Sequence, residues 1–340
     1  MAVPITDVGL SSIQTEFGGT DPIALSEYYR GGAYIPTTQG DGGYGVVAPS
    51  GSISMGNFRN QQHAFQLPMT FTANSLNYNV RTAAIAAGWD QILPLVATVT
   101  VNPGVVIGSS SNAVPAFDTG TLPAGSMCYL TIGAGAYIVG KGGDGGRGGG
   151  DYNFGPCTPG AAGGTAIRAQ VPVVIINGGT IGGGGGGGGG GQSSYFTQIA
   201  YLGGGNNGGS PTEQTFGICG GGGGGGAGYI GGYCNINGDG NNMWYDIGGG
   251  GKVTGGNGTL TAGGGNGHGA SNYSGAYAGN GGSGGALGQP GITGAAGVQD
   301  YLGTFYPTSV GALGGAAGAA VVGNSNITWT TSGTILGALT

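Results

Sequence analysis

The hydrophobic and polar positions change their rhythm three times along this chain. In the first 62 residues a weak pattern recurs: Val8-x-Leu10-x-x-Ile13, Ile23-x-Leu25-x-x-Tyr28 and Ile53-x-Met55-x-x-Phe58. Each places apolar side chains at offsets of two and five, which suits an extended entry followed by a helical turn. Ser11-x-x-Gln14 has the spacing of a capping box. From residue 63 to 137 the period becomes two. Phe65-Gln-Leu67-Pro-Met69, Leu95 to Val101, Val105 to Ile107 and Cys128 to Ile132 predict strands, with Leu95, Val99 and Val101 on one face. Val80 to Ala87 is alanine-rich and predicts a short helix, which Gly88 is placed to end. From 138 to 318 glycine tracts alternate with β-like rungs such as 166–180 and with aromatic loops. Residues 319–340 return to a strand pattern through Ile327, Trp329, Ile335 and Leu336.

Composition sharpens the third region. Glycine supplies 90 of 340 residues, including the unbroken run Gly182 to Gly191 and the run Gly220 to Gly226. Such a run buries no side chain, so only its N–H and C=O groups can hold it. Ordering a residue costs roughly 1–2 kcal/mol, with glycine the worst case. One backbone hydrogen bond returns only about 0.5–1.5 kcal/mol. The run is therefore either disordered or locked in a lattice where nearly every amide finds a neighbour. Disordered chains lack aromatics and carry charge; this chain has 17 tyrosines, nine phenylalanines, three tryptophans and 6% charged residues, which favours the lattice.

Periods of three agree with it. Lys141-Gly-Gly-Asp144-Gly-Gly-Arg147 and Asn280-Gly-Gly-Ser283-Gly-Gly-Ala286 fit the polyproline-II helix, with three residues per turn and about 3.1 Å rise. Lys141, Asp144 and Arg147 then form one outer ridge of alternating sign, while the glycine ridges pack against neighbouring strands.

Charge and candidate chemistry mostly exclude. A net charge of −6 argues against nucleic acid as a partner. No aliphatic stretch is long enough to insert in a membrane. The N-terminus has no basic segment or apolar core, so no signal peptide is expected and synthesis and folding in a cytoplasm are the default. Cys128, Cys157, Cys219 and Cys234 are too few and irregular for a disulfide framework or zinc site; isolated thiols are expected, with Cys219 and Cys234 the pair that flanks one glycine stretch. Asn235-x-Asn237-x-Asp239-Gly240-Asn241, with Asp246, has the spacing of a calcium loop. It offers two carboxylates and no helical flanks, so it reads as an Asn/Gly turn, with no metal and no cofactor. The 13 acids are scattered and the histidines are far apart, so no catalytic residues and no enzyme are expected. A carboxylate pair from Asp239 with Asp246 or Asp300 is the enzymatic alternative.

Three portions together resemble the glycine-rich tail-fibre proteins of tailed bacteriophages. They are Ser12-Ile-Gln-Thr-Glu-Phe-Gly-Gly with Leu25-Ser-Glu-Tyr-Tyr-Arg-Gly-Gly, the region from Asn77 to Gly143, and Gly323-Asn-Ser-Asn-Ile-Thr-Trp329. The glycine tracts resemble the polyglycine-II sandwich of tip adhesins, which presents loops to the host surface. The resemblance implies a mainly β fold with little helix: an attachment module over 1–62, a β-rich shaft or collar over 63–137, a polyglycine-II domain with aromatic loops over 138–318 and a β segment over 319–340. It implies a virion tail-fibre adhesin binding a host receptor, either an outer-membrane protein or a surface glycan. Other fibre or tail proteins are the expected partners. A homotrimer suits a fibre, although no heptad sets the number. A structural decoration protein of head, neck or tail is the rival reading.

Tyrosine and tryptophan join contact area to a hydrogen-bonding tip, so the loops between glycine tracts are the expected contact surface. Tyr152 and Phe154 occupy the first; Tyr195, Phe196, Tyr201 and Phe216 the second; Tyr229, Tyr233, Trp244 and Tyr245 the third; Tyr273 and Tyr277 the fourth; and Tyr301, Phe305 and Tyr306 the fifth. The bland alternative is that many of them pin the lattice.

Overall fold

The computed structural model describes residues 3–35, 47–59, 61, 64–149, 156–201, 211–218, 220, 222–228, 255–269 and 276–340. The N-terminal residues gather around a core of their own. Helix α1 (Leu10–Phe17) and 3-10 turns at Leu25–Glu27 and Met55–Phe58 correspond to the three repeats. Their last apolar positions, Ile13, Tyr28 and Phe58, are all fully buried in one cluster. Phe58 meets Phe17 and Tyr28 edge-on, and the Tyr28 hydroxyl donates to the Gly18 carbonyl at 2.7 Å. The expected Ser11 cap does not form. The N-cap is Gly9, two residues earlier, where the Ser12 hydroxyl closes back on the Gly9 carbonyl at 2.7 Å and Ser11 falls inside the first turn.

Alternation then builds a parallel β-solenoid whose coils cross three sheets in a constant order. The first coil runs β1 (Phe65–Phe71), β2 (Ser75–Leu76) and β3 (Tyr78–Asn79). Helix α2 (Val80–Ala86) follows, capped by the Asn79 side chain on the Thr82 amide and ended before Gly88, whose φ is 93°. The second coil runs β4 (Leu95–Val101), β5 (Val106–Gly108) and β6 (Phe117–Asp118); the third runs β7 (Met127–Ile132), β8 (Tyr137–Val139) and β9 (Ile167–Arg168). The fourth begins with β10 (Val173–Asn177) and β11 (Thr180–Gly182). Parallel register stacks like side chains across coils: Ile107, Ile138, Ile181 and Ile335 form one column, and Val99, Leu130, Ile175 and Trp329 another. The buried alternate positions of β4 include Leu95, Val99 and Val101, as their period requires. Residues 327–336 pack on this same core, so the strands of 319–340 continue the sheets begun at residue 65.

The connection between second and third sides carries the glycine. It is the single residue Asn77 in the first coil and 109–116 in the second. In the third it is 140–166, and in the fourth 183–320, before β16 (Val321–Val322) closes the coil and β17 (Ile327–Thr331) and β18 (Thr334–Leu336) begin the last one. The lattice is thus an outgrowth of one solenoid corner, made by two successive coils.

Within it the strand 182–191 is surrounded on all sides. Its amides from Gly183 to Gly190 all donate; beyond Gly183, which meets Leu336, they take strands 158–164, 224–227 and 289–292 in rotation. All ten carbonyls accept, from 140–149, 282–288 and 312–318 in rotation. Those six strands also bond to one another in a closed ring, for example Ala161 to Asp144, Gly160 to Leu313, Gly294 to Ala312, Ile292 to Ser283, Gly224 to Gly282 and Gly226 to Gly143. From Gly183 to Gly190 every amide and every carbonyl is therefore paired, so no backbone polar group in the centre of the lattice is left without a partner. The ridge of period three is not outward along its whole length: Lys141 is buried, and its Nζ meets the exposed Asp144 carboxylate at 3.0 Å, three residues on.

Candidate functional site

The lattice has two unlike ends. At one, Gly140 donates to Gly182 and Gly183 to Leu336, so the glycine strands are rooted in the solenoid. At the other, roughly 30 Å away at about 3.1 Å per residue, the strands run directly into a four-stranded sheet. Its strands are β12 (Ser194–Tyr201), β13 (Pro211–Ile218), β14 (Val298–Tyr301) and β15 (Thr304–Pro307), in the order β13-β12-β14-β15. The side chain is what switches lattice to sheet. Once glycine gives way to Ser194, Tyr195 and Phe196, the close spacing of a polyglycine lattice is sterically closed, and the wider pleat takes over. Gly149 and Gly191 mark the last lattice level before β12, and the Gly297 amide donates to Thr308 Oγ1 at 2.7 Å below the β14–β15 hairpin.

Register brings sequence-distant aromatic groups together. Phe196 pairs with Phe216 in β13 and with Asp300 in β14, Thr197 pairs with Tyr301, and Gln299 pairs with Tyr306. Counting by twos from these pairs puts Tyr195, Tyr301 and Tyr306 on one face of the sheet and Phe305 on the other. Tyr277 forms an antiparallel bridge with Val298. All five of these side chains are exposed. The second, fourth and fifth aromatic groups therefore meet on one sheet. The side chains of Phe196, Tyr201 and Phe216 lie outside the described residues, although their strand positions are described. Tyr152, Phe154, Tyr229, Tyr233, Trp244, Tyr245 and Tyr273 lie outside altogether, as do the calcium-like segment and the pair Cys219 and Cys234. The chain enters the third group from Gly228, whose amide donates to Thr259 at the solenoid end of the lattice.

The β14–β15 turn is a feature that reading for aromatics alone passes over. Leu302 and Gly303 both have positive φ, 50° and 84°, the backbone of a type I′ hairpin. Asp300 accepts from the Gly303 amide at 2.7 Å, and the Leu302 amide donates to the Thr197 carbonyl at 3.2 Å. The signal is present in the sequence: a two-residue gap ending in glycine between the alternating runs Val298–Tyr301 and Thr304–Pro307.

The strands β12, β13, β14 and β15 carry no lysine or arginine, and Arg147 stands one level below them on the lattice. From residue 169 to the C-terminus the only lysine or arginine is Lys252. Among the described residues no group of His, Cys, Asp or Glu is arranged to hold a metal, and no helix is long and apolar enough to cross a membrane. Cys128 and Cys157 are free thiols; burial pushes the Cys128 thiol up to about 12.

A family model described as phage tail fibre adhesin Gp38 matches residues 66–340. Among solved structures, the chain is similar to the crystal structure of the gp37-gp38 adhesin tip complex of the bacteriophage S16 long tail fiber, at 25% identity over 99% of both chains, with a TM-score of 0.43. No curated protein sequence matches the chain.

Proposed function

The chain belongs to the phage tail fibre adhesin Gp38 family, and we propose that it seats on the fibre through residues 3–61 and meets the host receptor with the sheet of β12–β15. It is a tail-fibre adhesin and a component of the virion. The observation that carries the proposal is the register of that sheet, which collects exposed Tyr195, Tyr301 and Tyr306 on one face at the end of the lattice farthest from the solenoid. A rigid arm with aromatics at its far end suits adhesion, because little ordering is left to occur on contact. The N-terminal residues suit attachment for a different reason. Their core is small and separate from that of the solenoid, and small cores gain stability by docking. The receptor is an outer-membrane protein or a surface glycan, and weak contacts from several fibres combine through effective concentration.

The test replaces Tyr195, Tyr301 and Tyr306 by alanine in the phage. At about 1 kcal/mol or more per aromatic contact, adsorption to the propagating host is expected to fall about a hundredfold or more. Fibre content by immunoblot and particle yield by electron microscopy stay at parental values. Unchanged adsorption by intact particles would sink the proposal.

A further inference from the structure

We infer that Leu302 is a specificity-determining knob that inserts into an apolar recess of a host-surface protein, an inference that rests on the receptor-contact reading of the β12–β15 sheet. Among the described residues, four that are not glycine have positive φ: Asp7, Asn77, Gln91 and Leu302. Aspartate and asparagine enter this region readily. Gln91 holds its place by accepting from Arg81 through its side chain at 2.7 Å. Leucine has neither excuse. Its side chain makes no hydrogen bond, and its γ-branched bulk is unfavourable in a left-handed turn, where asparagine or glycine is the usual choice.

Nor does folding recover the cost through burial. Leu302 is 41% exposed, at the tip of a hairpin tied to the sheet by its own amide on the Thr197 carbonyl. An apolar side chain held at a strained, exposed position is a local rule broken without gain inside the molecule, and such breaks gather at functional sites. Its neighbours Tyr301, Phe305 and Tyr306 are exposed around it. An isobutyl group gains only from an apolar partner that excludes water. A saccharide presents mostly hydroxyls, and an anionic one would find no lysine or arginine on this sheet. A recess in a surface protein, rimmed by groups for the tyrosine hydroxyls, matches both halves of this surface.

The inference makes stability and function move in opposite directions. Leu302→Asn suits the turn and removes the knob, so the thermal midpoint of the purified full chain is expected to rise while host adsorption of the corresponding phage falls about tenfold. Leu302→Met restores an apolar side chain of similar volume and is expected to adsorb within about threefold of the parent. On hosts whose surface proteins have been removed by protease, the difference between the parent phage and the Leu302→Asn phage is expected to vanish. The inference is overturned if Leu302→Asn adsorbs like the parent while the tyrosine variants do not, in which case the receptor-contact reading still stands. If the tyrosine variants also adsorb normally, that reading falls too. A difference between parent and Leu302→Asn that persists on protease-treated hosts would assign the recess to something other than protein and overturn the inference as stated.

Discussion

Gly187→Ala is expected to abolish the native lattice. A Cβ at this position would lie inside the 3.0 Å limit of real contacts from the Asp144 carbonyl, whose own chain is fixed by the Ala161 amide. No side chain is available to rotate away, because the obstacle is backbone. The Gly187 amide donates to Ala161 at 2.9 Å and its carbonyl accepts from Gly315 at 2.7 Å, so any shift breaks bonds on two sides. Overpacking together with two lost, buried bonds amounts to more than about 4 kcal/mol. The same holds in turn for Gly184 and Gly190, which face the Lys141 and Arg147 carbonyls. Ser283→Ala is the control: it removes a hydroxyl from an outward ridge and is expected to change stability by less than about 0.5 kcal/mol. Hydrogen exchange of the glycine amides, measured by mass spectrometry with thermal melting, separates the two. Native-like protection in Gly187→Ala would overturn the ring of strands described above.

Arg168→Ala is expected to cost about 1–3 kcal/mol, less than a fully buried pair because the Arg168 side chain is half-exposed, and to make the solenoid acid-sensitive at a higher pH than the parent. Asp118 is almost fully buried on the third side of the solenoid. Its carboxylate accepts from Arg168 Nε at 3.1 Å and Nη2 at 2.5 Å, from Gln170 at 3.1 Å, from Asn79 at 3.0 Å and from the Gly120 amide at 3.0 Å. Burial by itself pushes this carboxyl up; the hydrogen bonds from Arg168, Gly120 and Gln170 outweigh it and hold the group below its ordinary value. A carboxyl depressed in the folded state stabilises fully above its unfolded value, near 3.8, and loses that contribution as pH falls through the lower folded value. Removing Arg168 takes away the largest opposing interaction, so burial dominates and protonation begins at higher pH. Asn79, Asp118 and Arg168 are register partners on successive coils, so the loss is expected to be felt along the sheet. Thermal midpoints of parent and variant between about pH 3 and 7 test this, with Asp118→Ala/Arg168→Ala recovering part of the loss because no buried charge is left alone. Equal pH profiles for parent and Arg168→Ala would refute it.

Much of the local structure was legible because each element has its own period. Leu95, Val99 and Val101 show the two-residue period of a strand, Val80 to Ala87 the composition of a helix, and Lys141, Asp144 and Arg147 the three-residue ridge of polyglycine II. The Ser11 cap fails because Ser12 has the same chemistry and its hydroxyl both donates to the Gly9 carbonyl and accepts from the Gly9 amide. Coil order was harder. The third-side strands β3, β6, β9 and β16 are two residues long, too short for a pattern, and the insertions at 140–166 and 183–320 separate coils that are neighbours in space. The aromatic residues were legible as a class, but not their grouping, since β12 and β14 pair across about a hundred residues.

The sequence by itself favoured a backbone lattice over disorder for the glycine runs. No side chain there can supply any other stabilisation, and the charge and aromatic content oppose disorder. Only the tertiary structure decided which strands make the ring, and which tyrosines and which leucine stand at its far end. Those outcomes depend on hydrogen bonds between nearly identical glycine strands, and one glycine strand carries no mark that tells it from the next. The choice among them is made by where the solenoid coils release and recover the chain.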